Sequence, residues 1–298
     1  MGLIVDCHVH LYPVEIAGDP AGWSSAHAES HWSRLVLPSD GKQTLQGWAD
    51  VDGLLREMDR SGIDRGILQG WYWQNQETCE ILNRFYADCL RRYPDRLSAF
   101  ATVQPASGKR ALDAIRRSRD QGFLGLGELC PPVQGGFLRD ADWRAAMELA
   151  ASEGLVVLFH VDEQVGRPHP GRVSTPLSDF QWVLEELPDL RVILAHLGGG
   201  MVFHRMNRAM RPVMDRLWFD TAAAPLIYDP SVYAAAVACG VGDRLLFGSD
   251  YPLITFPRRS REPDLVLALE EIRGTRLTEE EKRRILGGNA AALFGFPG

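Results

Sequence analysis

Short runs of apolar and β-branched residues recur along the chain and alternate with longer stretches of helical periodicity. Eight of these runs predict β-strands, and from the third run onward each starts 25 to 36 residues after the one before it. That spacing leaves room for one strand, one helix and two loops, so the pattern predicts βα units around a parallel sheet. The predicted strands are residues 3–10, 65–71, 97–105, 122–129, 155–161, 191–199, 217–223 and 244–252.

The stretches between the strands place Leu, Ile, Phe and Ala on one face and predict amphipathic helices. Residues 77–93, 109–122 and 140–154 are examples, and the last predicted helix begins with a capping-box pattern at Thr278 and Glu281. Eight strands alternating with helices predict an α/β fold of the (β/α)8 TIM-barrel type, which occupies about 250 residues. A doubly wound open sheet is the rival, but it usually carries a glycine-rich turn after its first strand, where this chain has HVHLYP.

Three connections are too long to be plain turns, and each follows the C-terminal end of a predicted strand. They are residues 11–50, 162–176 and 252–263. Because that end of a barrel carries the active site, these loops are candidate substrate walls, and the 11–50 insert is a candidate lid. Neither a repeat nor a shift in composition marks a boundary, so residues 1–298 are predicted to form a single domain.

The composition excludes several classes of partner. The 32 Lys and Arg residues against 39 Asp and Glu give a formal net charge of −7, which does not supply the basic field that nucleic acid or an anionic membrane attracts. The five cysteines include no CxxC pair, which favours reduced thiols in a cytoplasmic protein and gives no support to a thiolate zinc site. No signal-peptide pattern and no membrane-spanning stretch is evident, so we expect neither export nor membrane insertion.

Six ionisable residues stand at the C-terminal ends of five predicted strands. Taken singly, each has an ordinary structural explanation, such as a histidine bonded to a backbone carbonyl or an acid capping the next helix. Taken together around one cavity they would be costly to bury unpaired, and a divalent cation satisfies them. Imidazole and carboxylate ligands without thiolate favour zinc first, then manganese, iron or cobalt. The six are His8, His10, Glu128, His160, His196 and Asp250.

Several motifs together resemble the metal-dependent amidohydrolase superfamily, within it the branch typified by aminocarboxymuconate semialdehyde decarboxylase. The resemblance spans the whole chain and rests on DCHVH, GLGEL, the strand-five histidine, AHLGGG, FDTAA, FGSDYP and GGNAAALFG. It implies one metal, with one zinc expected rather than two, and a catalytic role for His196. It implies Glu128 as a bridge to a second metal in some branches and only as a neighbour in others. The metal ligands that it implies are His8, His10, His160 and Asp250.

The long loops suggest a small carboxylated substrate. Arg167 and Arg172 follow strand five and Arg258 follows strand eight, so cations flank the expected mouth of an acidic protein and are candidates to bind a carboxylate. The alternative is that these are solvated loop arginines. Trp71 follows strand two and is a candidate wall for an aromatic or unsaturated ring, although such aromatic residues also serve to hold a lid in place.

These residues lead to a first hypothesis of hydrolysis. A zinc-bound hydroxide would attack an ester, lactone or amide, with Asp250 taking the proton of the water and His196 polarising the carbonyl. The alternative with the same site is non-oxidative decarboxylation of an unsaturated or aromatic carboxylic acid, and a hydratase is a third reading. From a different class, the chain would be a catalytically inactive binding barrel. Homodimers are common in the resembling family, but no residue here specifies one.

Overall fold

Eight parallel strands form a barrel in the computed structural model, which describes residues 2–38, 43–166 and 169–297. The strands pair in the order of the sequence, and each is hydrogen-bonded to the next. The N–H of Cys7 donates to the carbonyl of Phe247 at 2.8 Å and thereby joins the last strand to the first. The predicted (β/α)8 fold is confirmed. The strands are β1 Val5–Val9, β2 Arg65–Leu68, β3 Leu97–Ala101, β4 Gly125–Leu129, β5 Val156–Phe159, β6 Arg191–Leu194, β7 Leu217–Asp220 and β8 Leu245–Leu246.

All eight observed strands lie within the predicted runs but are shorter. The ladder ends where the chain leaves the barrel, and the remaining residues of each run continue as the loop that carries polar side chains. A cluster of apolar residues drawn from six strands fills the barrel interior. Leu293 belongs to that cluster and Leu3 packs against it, so both close the end at which the strands begin. The opposite end, where the strands finish, is left for the site.

The helices surround the barrel and bury their apolar faces against the outside of the strands. The capping box predicted at Thr278 is present: its N–H donates to the Glu281 carboxylate at 2.8 Å, and its hydroxyl accepts the N–H of Glu281 at 3.3 Å. No helix among the described residues is both long and apolar enough to cross a lipid bilayer. The helices are α1 Val14–Gly18, α2 Pro20–Ala26, α3 Ser30–Val36, α4 Val51–Ser61, α5 Gln76–Arg92, α6 Lys109–Asp120, α7 Pro131–Gln134, α8 Ala141–Ser152, α9 Leu177–Glu186, α10 Arg211–Met214, α11 Ala224–Ile227, α12 Ser231–Ala236, α13 Leu265–Arg273, α14 Glu279–Arg283 and α15 Asn289–Phe294.

The insert between β1 and α4 carries the three short helices α1 to α3 and lies over the site end of the barrel. Residues 39–42 of this insert fall outside the described part of the chain. Its aromatic side chains form a packed cluster: the ring of Trp32 lies 5.4 Å from that of Trp73 and 5.7 Å from that of Trp23. Trp32 and Trp73 are fully buried, so these rings fasten the insert to the barrel.

Polar contacts join the insert to two other loops. The buried carboxylate of Glu29 accepts the N–H groups of Gln74 at 2.8 Å and Asn75 at 3.1 Å, in the loop after β2. The Nε2 of His31 donates to the carbonyl of Gly171, in the loop after β5, at 2.8 Å. His31 is therefore engaged by backbone, as expected for a structural histidine.

Candidate active site

Six side chains from five strand ends converge at the floor of one cavity. The Nε2 atoms of His8 and His10 lie 3.1 Å apart, and the Glu128 carboxylate lies 3.6 Å and 3.7 Å from them. The Oδ1 of Asp250 lies 3.4 Å from the Nε2 of His10. These are the residues that the strand-end pattern predicts. The order of the strands in the barrel brings them together, because every parallel strand finishes at the same rim.

The other two histidines complete the cluster from β5 and β6. The Nδ1 of His160 lies 3.3 Å from the Glu128 carboxylate and 3.1 Å from the Nε2 of His196. The six groups thus divide into two sets with the spacing of metal ligands, one of His8, His10 and Asp250 and one of Glu128, His160 and His196. Glu128 lies between the sets, within 3.7 Å of a histidine in each.

The ring nitrogen of each imidazole that points away from the cavity makes a hydrogen bond, and this bond determines which nitrogen presents a lone pair to the cavity. A carbonyl only accepts, so His10, 3.0 Å from the carbonyl of Gln69, and His196, 2.9 Å from that of Ala222, donate from Nδ1. Their Nε2 atoms therefore point lone pairs into the cluster whenever the rings are neutral. Lone pairs of neighbouring imidazoles converging with carboxylates repel unless a cation lies among them. The donor set therefore fits a divalent metal ion of the kind bound by nitrogen and oxygen ligands.

The pKa shifts within the cluster also favour a bound cation. Burial acts to lower the pKa of His8, but the negative charges of Asp220 and Glu128 outweigh it and raise that pKa to about 10. Burial acts to raise the pKa of Glu128, but the charges of His8 and His160 lower it to about 2. Buried carboxylates therefore draw positive charge onto the imidazoles. A bound cation supplies the same charge and displaces those protons.

Asp220, at the end of β7, is a site residue that the strand-end pattern did not identify. It is fully buried, and its Oδ2 lies 2.8 Å from the Nδ1 of His8. Its Oδ1 accepts the N–H groups of His196 at 2.9 Å and Ala222 at 3.1 Å. One carboxylate thus orients two histidines of the cluster. The FDTAA motif is the signal for this residue in the sequence, because it places the aspartate in the seventh predicted strand.

Two site residues adopt the left-handed backbone region, which is uncommon for residues other than glycine. The φ of His196 is 57° and that of Asp250 is 64°. Such conformations cost about 1 to 3 kcal/mol and persist where the surroundings impose them. Here the N–H of Asp250 is held by the carbonyl of His8 at 3.0 Å, and the N–H of His196 is held by Asp220. The left-handed backbone conformation of these two residues directs both side chains into the cavity.

Above the floor lies a cavity of about 430 Å³ whose near wall is aromatic. The rings of Trp71 and Tyr72 stack with centroids 4.3 Å apart. The Trp71 ring meets the edge of His10 at 5.6 Å, and the Tyr72 ring lies 4.8 Å from that of His160. The structure therefore places Trp71 where the substrate-wall prediction puts it, directly beside the candidate metal ligands.

Two of the loop arginines named as substrate-binding candidates, Arg172 and Arg258, do not line this cavity. The Arg172 guanidinium donates to the backbone carbonyls of Gly166 at 2.9 Å and Glu163 at 2.5 Å and thus shapes its own loop. Arg258 is exposed, and neither residue is among the described residues that line the cavity. Arg167 lies outside the described residues.

Polar groups other than Arg172 and Arg258 line the cavity. Arg34 of α3 does so, as do Asp162 and His169, whose side chains lie 3.2 Å apart. No motif marks Arg34 in the sequence, because its position depends on how the insert folds back over the barrel.

Several known proteins that are similar to this chain are named as decarboxylases. The 2-amino-3-carboxymuconate-6-semialdehyde decarboxylase of Dictyostelium discoideum is 24% identical over 345 residues, which cover 99% of this chain and 92% of that protein. The crystal structure of 5-carboxyvanillate decarboxylase from Sphingomonas paucimobilis superposes with a TM-score of 0.76 at 16% identity, covering 100% of both chains. A dihydroxybenzoic acid decarboxylase from Polaromonas, solved with manganese and 2-nitroresorcinol, has a TM-score of 0.70 at 18% identity, covering 99% of this chain and 97% of the other.

These comparisons correct the functional hypothesis. The first hypothesis, hydrolysis of an ester, lactone or amide by a zinc-bound hydroxide, is wrong, because the similar proteins are decarboxylases. Hydrolysis and decarboxylation use the same kinds of residue, so the motifs did not separate them. The resemblance itself is confirmed, since the sequence model described as amidohydrolase matches residues 5–296. The chain belongs to the amidohydrolase family, in the branch that contains these decarboxylases.

Proposed function

We propose that this protein catalyses the metal-dependent, non-oxidative decarboxylation of a small aromatic or unsaturated carboxylic acid. The observation that carries the proposal is the convergence of imidazole lone pairs and carboxylates beneath the stacked rings of Trp71 and Tyr72. A cation site at the floor matches an anionic substrate, and an aromatic wall matches a planar one. The names of the similar proteins support the same reaction.

The ligands proposed for one divalent ion are His8, His10, Glu128, His160 and Asp250. When bound, such an ion supplies positive charge that neutralises and orients the anionic oxygens of the substrate. Manganese and zinc both accept this set of nitrogen and oxygen donors, and the metal bound by the Polaromonas protein favours manganese as the first ion to test.

The reaction consumes one proton per turnover. The bond between the carboxyl carbon and the adjacent carbon breaks, its electron pair stays on the latter, and a proton takes the place of carbon dioxide. We assign delivery of that proton to Asp250, which would take a proton from solvent and pass it to the carbon that loses carbon dioxide; its side chain is 11% exposed at the cavity floor. His196 keeps its Nδ1 proton on the carbonyl of Ala222, so its Nε2 remains able to accept a hydrogen bond from a substrate hydroxyl.

The proposal is tested with manganese-loaded or zinc-loaded protein and a panel of hydroxybenzoates and unsaturated dicarboxylates. We expect carbon dioxide and the decarboxylated product in equal amounts. Asp250→Asn is expected to lower turnover by at least about 100-fold, the usual scale of a positioned proton donor, while metal remains bound. Asp229→Asn, an exposed aspartate after α11, is the matched control and retains activity.

Two results would count against the proposal. One is a metal-loaded protein that releases no carbon dioxide from any member of the panel. The other is full activity in Asp250→Asn, which would remove the proton-delivery role. Elemental analysis of the same samples measures how many ions each chain binds, and two per chain would assign Glu128 as a bridge between the two ligand sets.

A further inference from the structure

The outer part of the cavity is lined by aliphatic side chains, and we call this region the vestibule. Its members come from three separate loops: the insert after β1, the loop after β7 and the loop after β8. The cavity therefore has an aliphatic region in addition to its polar floor, and Arg34, Asp162 and His169 are also part of its lining. The vestibule residues are Leu35, Leu37, Leu45, Leu226, Ile227 and Leu253.

The vestibule makes the cavity larger than one aromatic ring requires. An apolar cavity of about 150 Å³ is sufficient to bind benzene. The cavity here measures about 430 Å³, so it has room for a planar acid and for a second group of similar size. Because the acid group belongs at the floor with the candidate metal ligands, the second group lies in the vestibule.

Hydrogen bonds and close packing between loops hold the wall of the vestibule together. The N–H of Ile254 donates to the carbonyl of Leu45 at 2.8 Å, and Gln46 pairs with Leu253 in an antiparallel bridge, so the insert is hydrogen-bonded to the loop after β8. Leu35 packs so closely on Gly171 that a Cβ there would lie 2.2 Å from the leucine side chain. These contacts hold the aliphatic side chains in place.

The exposure of these side chains indicates that something apolar covers them. Leu45, Leu226 and Ile227 are 36%, 38% and 40% exposed, and they are three of the eight large apolar side chains that are exposed in the described part of the chain. Scattered apolar side chains need no explanation, but a group at the mouth of a catalytic cavity indicates a binding surface. A ligand that fills the vestibule removes this surface from water.

We propose that the substrate is a carboxylic acid whose planar core carries a second apolar group, alkyl or aryl, opposite the carboxylate, and that the vestibule binds this group. The inference rests on the proposed decarboxylation only for the placement of the carboxylate at the floor. It names a substrate class larger and more apolar than a simple hydroxylated benzoate. Leu226 and Ile227 on α11 are its specificity-determining residues.

The test measures the binding of non-reacting carboxylates to the manganese-loaded protein by calorimetry. The probes are benzoate, para-methylbenzoate, para-propylbenzoate and para-phenylbenzoate. Each buried methylene is expected to tighten binding about fourfold. Leu226→Asn and Ile227→Asn should remove most of this gain while leaving benzoate affinity unchanged. Met206→Asn, at an exposed apolar residue that does not line the cavity, is the matched control.

The outcomes separate this inference from the proposed function. Affinity that does not rise with the para group, or no binding by any probe, would overturn the vestibule assignment. A gain that survives in both α11 variants would overturn the role of Leu226 and Ile227. Tighter binding of the larger probes by a protein that releases no carbon dioxide would support the vestibule and count against decarboxylation. Both variants change half-exposed side chains, so thermal unfolding is expected to show an intact fold.

Discussion

Asp220 offers a direct test of how the proposed metal ligands are oriented. Its Oδ1 accepts two backbone N–H groups, and its Oδ2 lies 2.8 Å from the Nδ1 of His8. In Asp220→Asn the amide oxygen keeps the two backbone donors, so the NH₂ group must face His8. A donor cannot pair with the Nδ1–H, and His8 therefore moves its proton to Nε2. The nitrogen that faces the other proposed metal ligands then carries a proton and no lone pair.

The expected loss follows from this change of tautomer. Replacing the hydrogen-bond partner of a metal-bound histidine typically weakens metal binding by about 10-fold to 100-fold. That range corresponds to about 1.4 to 2.7 kcal/mol of binding free energy. The pKa of His8 should also fall in the metal-free variant, because the charge of Asp220 is the foremost of the influences that raise it.

The assay is a titration of metal-free protein with manganese against a competing chelator of known affinity. Asp6→Asn is the matched control because it removes another buried carboxylate of the same barrel end. The Oδ1 of Asp6 accepts the N–H groups of His8 at 3.1 Å and Ser249 at 3.0 Å, and its Oδ2 has no hydrogen-bond partner among the described residues, so an amide fits there without changing any imidazole. Equal weakening in both variants would refute the tautomer argument, since charge alone would then explain the loss.

Three further predictions concern stability. Chelation of metal-loaded protein should lower the unfolding midpoint by about 4 °C when the metal had been present at about 100 times its Kd, and a smaller shift on removal would mean weaker binding. Glu29→Ala should cost about 3 kcal/mol in urea unfolding because it leaves two partly buried N–H groups unpaired, whereas Glu29→Gln keeps an acceptor and should cost less. Burial raises the pKa of Glu163, which accepts a hydrogen bond from Tyr228, from 4.5 to about 7, so the contribution of this carboxyl group to folding stability falls as the pH rises through that interval. Glu163→Gln should therefore become more stable relative to the parent protein between pH 5 and pH 8. A difference in stability that stays constant with pH would contradict this.

The barrel was predictable because strand and helix periodicities are local properties of the chain. Each observed strand falls within a predicted run, and the α5, α6 and α8 helices begin and end within two residues of the predicted bounds. The cluster of His8, His10, Glu128, His160, His196 and Asp250 was predictable for a related reason. A parallel barrel gathers every strand end at one rim, so position in the sequence was sufficient to bring these side chains together.

The type of reaction was not predictable from the same residues. A cation site with an acid/base residue serves hydrolysis and decarboxylation alike, and the choice of hydrolysis was corrected only by the similar proteins. The sequence also gives no indication that the candidate substrate-binding residues Arg172 and Arg258 do not line the cavity. Arg172 and Arg258 occur in loops of the right strands, but whether a loop side chain faces the cavity depends on its local backbone contacts.

The fold and the residues at the cavity floor follow from the periodicity of the chain and from the order of its strands. Which imidazole nitrogens face the floor is known only from the folded barrel, since this depends on Asp220 and on carbonyls of other strands. Only the tertiary structure placed Arg34 beside the cavity and assembled the vestibule. Leu37 and Ile227 are far apart in the chain, and they line one wall because hydrogen bonds and close packing between loops hold the insert over the barrel end.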